Sequence, residues 1–127
     1  MDSSIEAQFK SAIDSFTRND FSTAEIICFQ IRHQNPFIAE NLNLIALISH
    51  ALKKKDQAIL HAEAAVTLFP DNDVFLITLG DIHFEYGDFE KALSCFQAVN
   101  SIYMNHTEAI SKAKYCEQAI EQFRPKS

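Results

Sequence analysis

Five histidines and three cysteines are the residues of this chain best suited to metal binding, nucleophilic attack or proton transfer, and their spacing supports none of these. His33, His50, His61, His83 and His106 never fall into an HExxH or HxH pattern, the kind of spacing that turns two imidazoles toward one metal. Cys28, Cys95 and Cys116 are scattered, with no CxxC pair, whereas zinc needs its Cys and His ligands clustered. His61 and Glu63 would point to different sides of a helix. Neither a GxxxxGK loop nor a GxGxxG loop is present to cradle a phosphate, and no Ser/His/Asp arrangement follows from the spacing. The expectation is of a chain with no catalytic residue, no metal and no cofactor, hence not an enzyme. Each cysteine reads as a small core residue.

Charge and composition narrow the partners. The 127 residues carry a net charge of −6, the wrong sign for non-specific binding to nucleic-acid phosphates or anionic lipid. The one basic run, Lys53-Lys54-Lys55, is expected to be a solvated turn. Three cysteines are an odd number, which suits reduced thiols and a cytoplasmic setting better than a disulfide framework. The opening MDSSIEAQFKSAID lacks the apolar run of a signal peptide. No stretch reaches the 18 or so uninterrupted apolar residues of a membrane span. Protein or peptide remains as the expected partner, with no nucleic acid and no membrane insertion.

The elements that must position these residues are helices. Apolar residues make up 47% of the chain, and there are only 2 Gly and 3 Pro, a composition that suits long helices over a many-turned β fold. A period of 34 organises the sequence. Pro36 and Pro70 are 34 apart, small residues recur at Ala12, Ala46 and Gly80, and again at Ala24, Ala58 and Ala92. Cys28, Ala62 and Phe96, then Ile31, Ala65 and Val99, fall in the same register. Within each unit the spacing is helical, as in Phe9, Ala12, Ile13 and Phe16. Asn19 and Gly87 fall where a left-handed residue ends a helix, and Ser22 with Glu25 suggests a capping box at the next start. The reading is seven helices, at about 4–18, 21–34, 38–52, 55–69, 73–86, 89–102 and 107–123. The last has no mate, and its stripe Ile110, Ala113, Cys116, Ile120 and Phe123 would cover the open end of a stack.

These residues resemble the tetratricopeptide repeat family, over nearly the whole chain. The third unit carries the likeness best, through Leu76, Leu79, Gly80, Tyr86-Gly87-Asp88-Phe89, Ala92, Phe96 and Val99. The second matches through Leu42, Ile45, Ala46, Ala58, Ala62, Ala65 and Pro70, and the first keeps Ala12, Phe21, Ala24 and Pro36. Ser15, Ser49 and His83 depart from the usual aromatic, and no Trp stands at Gln8, Leu42 or Leu76. The resemblance implies an all-α, right-handed α-solenoid. It would be a single domain over 1–127, with repeats at about 5–38, 39–72 and 73–106 and a capping helix at 107–123.

The resemblance also implies an inner, concave wall lined by the first helix of each pair. The partner-binding residues expected there are Phe9, Ile13 and Phe16 from the first unit. The second unit supplies Asn43, Leu44, Leu47 and His50, and the third Ile77, Thr78, Asp81, Phe84 and Glu85. Relatives that hold the C-terminal carboxylate of heat-shock chaperones use a Lys, Asn and Arg clamp on this wall. The corresponding places here are Phe9, Ile13, Leu44, Val74 and Thr78, so that ligand class is excluded. An amphipathic helix or extended peptide is expected instead, its apolar side on the wall and a basic flank against Asp81 and Glu85. The stripe would be core rather than site if the chain's own N-terminus, its C-terminal helix or a twofold mate in a homodimer filled it. The leading function is an interaction module, an adaptor or scaffold. The alternatives are a bacterial secretion-type chaperone for a hydrophobic client, or the N-terminal repeat fragment of a larger enzyme.

Overall fold

A computed structural model describes residues 1–125 of the chain. Its seven helices are α1 (Ser3–Thr17), α2 (Phe21–Gln34), α3 (Ala39–Ala51), α4 (Lys55–Leu68), α5 (Asp73–Glu85), α6 (Phe89–Ile102) and α7 (Thr107–Gln122). They form two compact units, one of Met1–Phe69 and the other from Pro70 onward. In the first unit α1 packs on α2, α2 on α3 and α3 on α4; in the second α5 packs on α6 and α6 on α7. No strand occurs among the described residues.

Each hairpin turns at one residue in the left-handed region. Asn19 has φ 62°, Lys53 φ 61° and Gly87 φ 80°, at 34-residue intervals. The turn hydrogen bonds repeat with them. The Asn19 N–H donates to the Phe16 carbonyl at 3.0 Å and the Asp20 N–H to the Ser15 carbonyl at 2.8 Å. The same pair of bonds recurs from Lys53 and Lys54, and from Gly87 and Asp88. This is the Schellman closure, which satisfies helix-end carbonyls that would otherwise lack donors.

Helix starts depart from the sequence expectation. Asp20, not Ser22, caps α2, its side chain accepting from the Thr23 N–H at 3.3 Å. Glu25 does not reach back to the cap; it pairs with Lys54 at 2.9 Å. Lys54 is thus paired within the basic run expected to be a solvated turn, and Lys53, Lys54 and Lys55 all remain exposed. In the same way Asp2 caps α1 through Ile5 and Asn72 caps α5 through Phe75.

The first unit's core is built on Ala12, Ala24, Cys28, Leu44, Ile45 and Ile48, with a second cluster of Ile5, Ile31 and Ile38. Asn41 donates from Nδ2 to the Cys28 carbonyl at 3.0 Å, a buried bond that fixes α3 on α2. In the second unit α7 turns inward the small residues Ala109, Ala113, Cys116 and Ala119. The expected stripe is thus rotated, because Ile110 and Phe123 are exposed and the small side chains let α7 lie close on α6. Gly80 shows how tightly α5 packs on α6. A Cβ built on it would stand 2.6 Å from Phe96 Cε1 and 3.1 Å from Cys95 Cβ, and Phe96 is itself fully buried.

Gly80→Ala should therefore destabilise the chain by about 1–3 kcal/mol through overpacking, outweighing the better helix propensity of alanine. Urea denaturation followed by circular dichroism measures it, and an unchanged or raised midpoint would contradict the packing described.

Candidate functional site

The expected wall divides between the two units. In the first, α1 presents Phe9, Ile13 and Phe16, while α3 presents Asn43, Leu44, Leu47 and His50. Phe9 and Phe16 are half-buried and packed against the core clusters; the Phe16 ring lies 5.6 Å from that of Phe21. Leu44 is buried within the core. Ile13 is 38% exposed, and Leu47 and His50 are half-buried. Asn43 lies one turn before Leu47 and is buried, yet its Oδ1 has no hydrogen-bond partner among the described residues. Such an oxygen costs roughly 1–3 kcal/mol until a donor meets it.

In the second unit α5 carries Ile77 and Thr78, both buried, then Asp81 and Phe84, half-buried, and Glu85, exposed. Asp81 already has its cation. Lys112 of α7 donates from Nζ to Asp81 Oδ1 at 2.7 Å and to Oδ2 at 2.8 Å, and pairs with Glu108 at 3.0 Å. Burial alone would lower the lysine's pKa; the hydrogen bonds and charges of Asp81 and Glu108 outweigh it and hold the ammonium above its ordinary range. Phe84 meets Phe89 edge-on with ring centroids 5.1 Å apart, and Phe89 stacks on Phe123. Asp81, Phe84, Phe96, Lys112 and Tyr115 enclose a pocket of about 320 Å³. The C-terminal helix thus occupies part of the α5 face, one of the occupants the sequence left open.

A second set of residues escaped the sequence reading. On α2 and α4 the Arg32 guanidinium donates to His61 Nε2 at 2.6 Å and rests 4.5 Å from the centre of the Phe29 ring. The His61 Nδ1–H donates to the Gln57 carbonyl at 2.7 Å, which leaves Nε2 as the acceptor and fixes the neutral tautomer. Burial lowers the pKa of His61, the Gln57 carbonyl opposes this, and the Arg32 charge lowers it further. Arg32 and His61 are 29 positions apart, and only the packing of α4 beside α2 brings them together.

The remaining polar groups are structural. His106 caps α7, accepting from the Ala109 N–H at 3.2 Å through Nδ1, while Nε2 meets Asp73 at 3.0 Å. The Tyr103 hydroxyl donates to the Asp71 carbonyl. Burial, with Glu25 adding to it, pushes the Cys28 thiol up to about 12. Burial again, with Asp81 and Glu117, pushes Cys116 up to about 11, so neither thiol supplies a nucleophile near neutrality. Among the described residues no group of three His, Cys, Asp or Glu side chains is placed to hold a metal. No helix among them is long and apolar enough to cross a membrane.

A family model described as tetratricopeptide repeat matches residues 50–115. No curated protein matches the chain in sequence. Among solved structures, the first such domain of Spaghetti (RPAP3) bound to the HSP90 peptide SRMEEVD is similar over 92% of this chain and 93% of that one, with TM-score 0.85 and 18% identity. The Sgt2 domain from Aspergillus fumigatus is similar over 94% of this chain and 81% of its own, with TM-score 0.87 and 17% identity. The Yersinia enterocolitica type III secretion chaperone SycD, in complex with a peptide of the translocator YopD, covers 96% and 93%, with TM-score 0.79 and 11% identity. At these identities the three likenesses show the shared all-α fold alone.

His61 gives a pH test of the local geometry. Because its folded pKa lies below the ordinary 6.5, the stabilisation is fully present above that value and is lost as pH falls through the folded one. The stability advantage of the parent chain over a His61→Gln variant should shrink on acidification from about pH 7.5 to about pH 4.5. Thermal melts across that range measure it, and a constant difference would reject the neutral, buried imidazole.

Proposed function

This chain belongs to the tetratricopeptide repeat family, and from that premise we propose that it is a protein-interaction module whose first-helix wall takes an apolar peptide or amphipathic helix. The observation that carries the reading is the wall of α1 and α3. Ile13 is exposed and Leu47 half-buried, so both keep apolar surface that a partner could cover. A peptide laying an apolar side chain on Ile13 and Leu47 would gain burial there. Phe9, Phe16 and Leu44 give that wall a rigid backing, because they are anchored in the core. His50 stands at its rim.

The ligand is apolar rather than anionic on this wall. The RPAP3 domain holds the acidic peptide SRMEEVD, but here Phe9, Ile13, Leu44, Val74 and Thr78 stand where the family resemblance puts cationic and amide clamp residues. On α5 of the second unit, Ile77, Thr78, Asp81, Phe84 and Glu85 are a separate expected set, and Asp81 there is held by Lys112. A chaperone role toward a hydrophobic client is the second reading, favoured by the fold likeness to SycD with its YopD peptide. In that case the chain keeps an aggregating client soluble at equimolar ratio.

Display-selected peptides bearing an apolar stripe should bind the chain, and Ile13→Ser and Leu47→Ser should each weaken them by about thirtyfold, a loss of ~2 kcal/mol per anchor being usual. Circular dichroism should show unchanged helicity in the double variant. Equal affinity of parent and variant, by fluorescence anisotropy, discards this wall as the site.

A further inference from the structure

The α2–α4 face of the first unit, away from the residues assigned above, holds a fixed cation beside open hollows. Its centre is Arg32. That guanidinium forms no ion pair among the described residues, although the chain as a whole carries a net charge of −6. One N–H is spent on His61 Nε2, a neutral acceptor, and the plane is held over Phe29. An arginine fixed in this way, with donors left over, is preorganised for a carboxylate, because little side-chain freedom remains to be lost on pairing.

The surroundings of Arg32 are apolar. It borders a hollow of about 380 Å³ lined by Pro36, Phe37, Leu42, Leu60, Ala64 and Leu68, with His61 and Thr67 as its other polar members. A second hollow shares the Phe29 ring on which Arg32 rests; Ile26 and Phe29 are its apolar members, and Gln8, Gln30, His33 and Gln34 give it a polar rim. Phe37 is 72% exposed, Leu60 63% and Ile26 58%. Large apolar side chains standing in water around one uncompensated cation make an unusual surface for a protein of acidic charge. Both hollows are shallow and their rims protrude, which fits side chains of a protein segment better than an enclosed small molecule.

We infer that this face docks a segment of a partner protein in which an Asp or Glu is flanked by large apolar residues. The carboxylate pairs with Arg32, and the apolar neighbours enter the hollows beside Leu60 and Ile26. His61 takes part as the acceptor that positions Arg32 and does not touch the ligand. The occupant is set by charge complementarity: a basic or purely apolar segment would leave the guanidinium buried without a counter-ion, which is costly.

A random 12-residue display library selected on the native chain tests this. Enriched sequences should place Asp or Glu between large apolar residues. Their affinity, by fluorescence anisotropy, should fall roughly ten- to hundredfold in Arg32→Gln, the scale of a lost charge-assisted bond. It should also fall in Leu60→Ser and stay unchanged in the Ile13→Ser, Leu47→Ser double variant. That last arm separates this surface from the first-helix wall. Leu60 is exposed, so L60S keeps the fold and decides the matter should R32Q lose it. Acid-containing peptides that bind R32Q and L60S as well as the parent overturn the inference, as does a library yielding no such peptides. Sedimentation showing a dimer that L60S dissociates would also overturn it, since the face would then belong to a second copy of the chain.

Discussion

The whole arrangement depends on how closely paired helices approach one another, and that distance is set by what cannot be there. Ala12, Ala46 and Gly80 recur at one phase of the 34-residue period, and all three are buried. At Gly80 the missing methyl is replaced by the edge of Phe96. The close crossing is what frees the other sides of the first helices. Residues such as Ile13 and Leu47 can then stay accessible while Phe9, Phe16 and Leu44 are drawn into the core beneath them. Interiors packed at this density transmit a one-atom change to several neighbours, so the steric rule at three positions controls the shape of the surfaces above.

Two kinds of surface follow from the same packing. The first-helix wall keeps Ile13 and Leu47 accessible above core residues, with a buried unmatched amide oxygen on α3. The α2–α4 face is ridged, with hollows on either side of a fixed guanidinium. In the second unit the two principles meet: α7 brings Lys112 to Asp81 and so neutralises an acid that would otherwise stand alone on α5. The interaction is charged and partly exposed, so it positions α7 more than it stabilises the fold, exposed pairs being worth little.

Much of this was legible in the residues. The helix boundaries follow from the period, with the small residue of each crossing and the left-handed candidates Asn19 and Gly87 visible in a linear sequence, while only the period marks the turn at Lys53. What was not legible depends on choices between near-equivalent residues or on pairs far apart in the chain. Asp20 and Ser22 can each cap a helix, and only the bond to Thr23 decides between them. On α7, alanine and isoleucine both count as apolar, so the pattern could not tell that the smaller side chains would face inward. Lys112 with Asp81, and Arg32 with His61, are about thirty positions apart, roughly one repeat, and no local rule joins them. Of the expected wall, the residues at the positions the family resemblance implies told that it would be apolar; how much of it would be sunk into the core depended on rotamers the sequence does not state.

The three hairpin turns share one backbone shape but not one strain. Gly87 adopts its positive φ freely and Asn19 is among the residues that tolerate it, whereas Lys53 has a full side chain there, at a cost on the order of 1–2 kcal/mol. The α3–α4 corner is therefore sprung where its counterparts are relaxed. Backbone amides around it should be the first of the three corners to trade hydrogen for deuterium, and the middle hairpin the first to breathe.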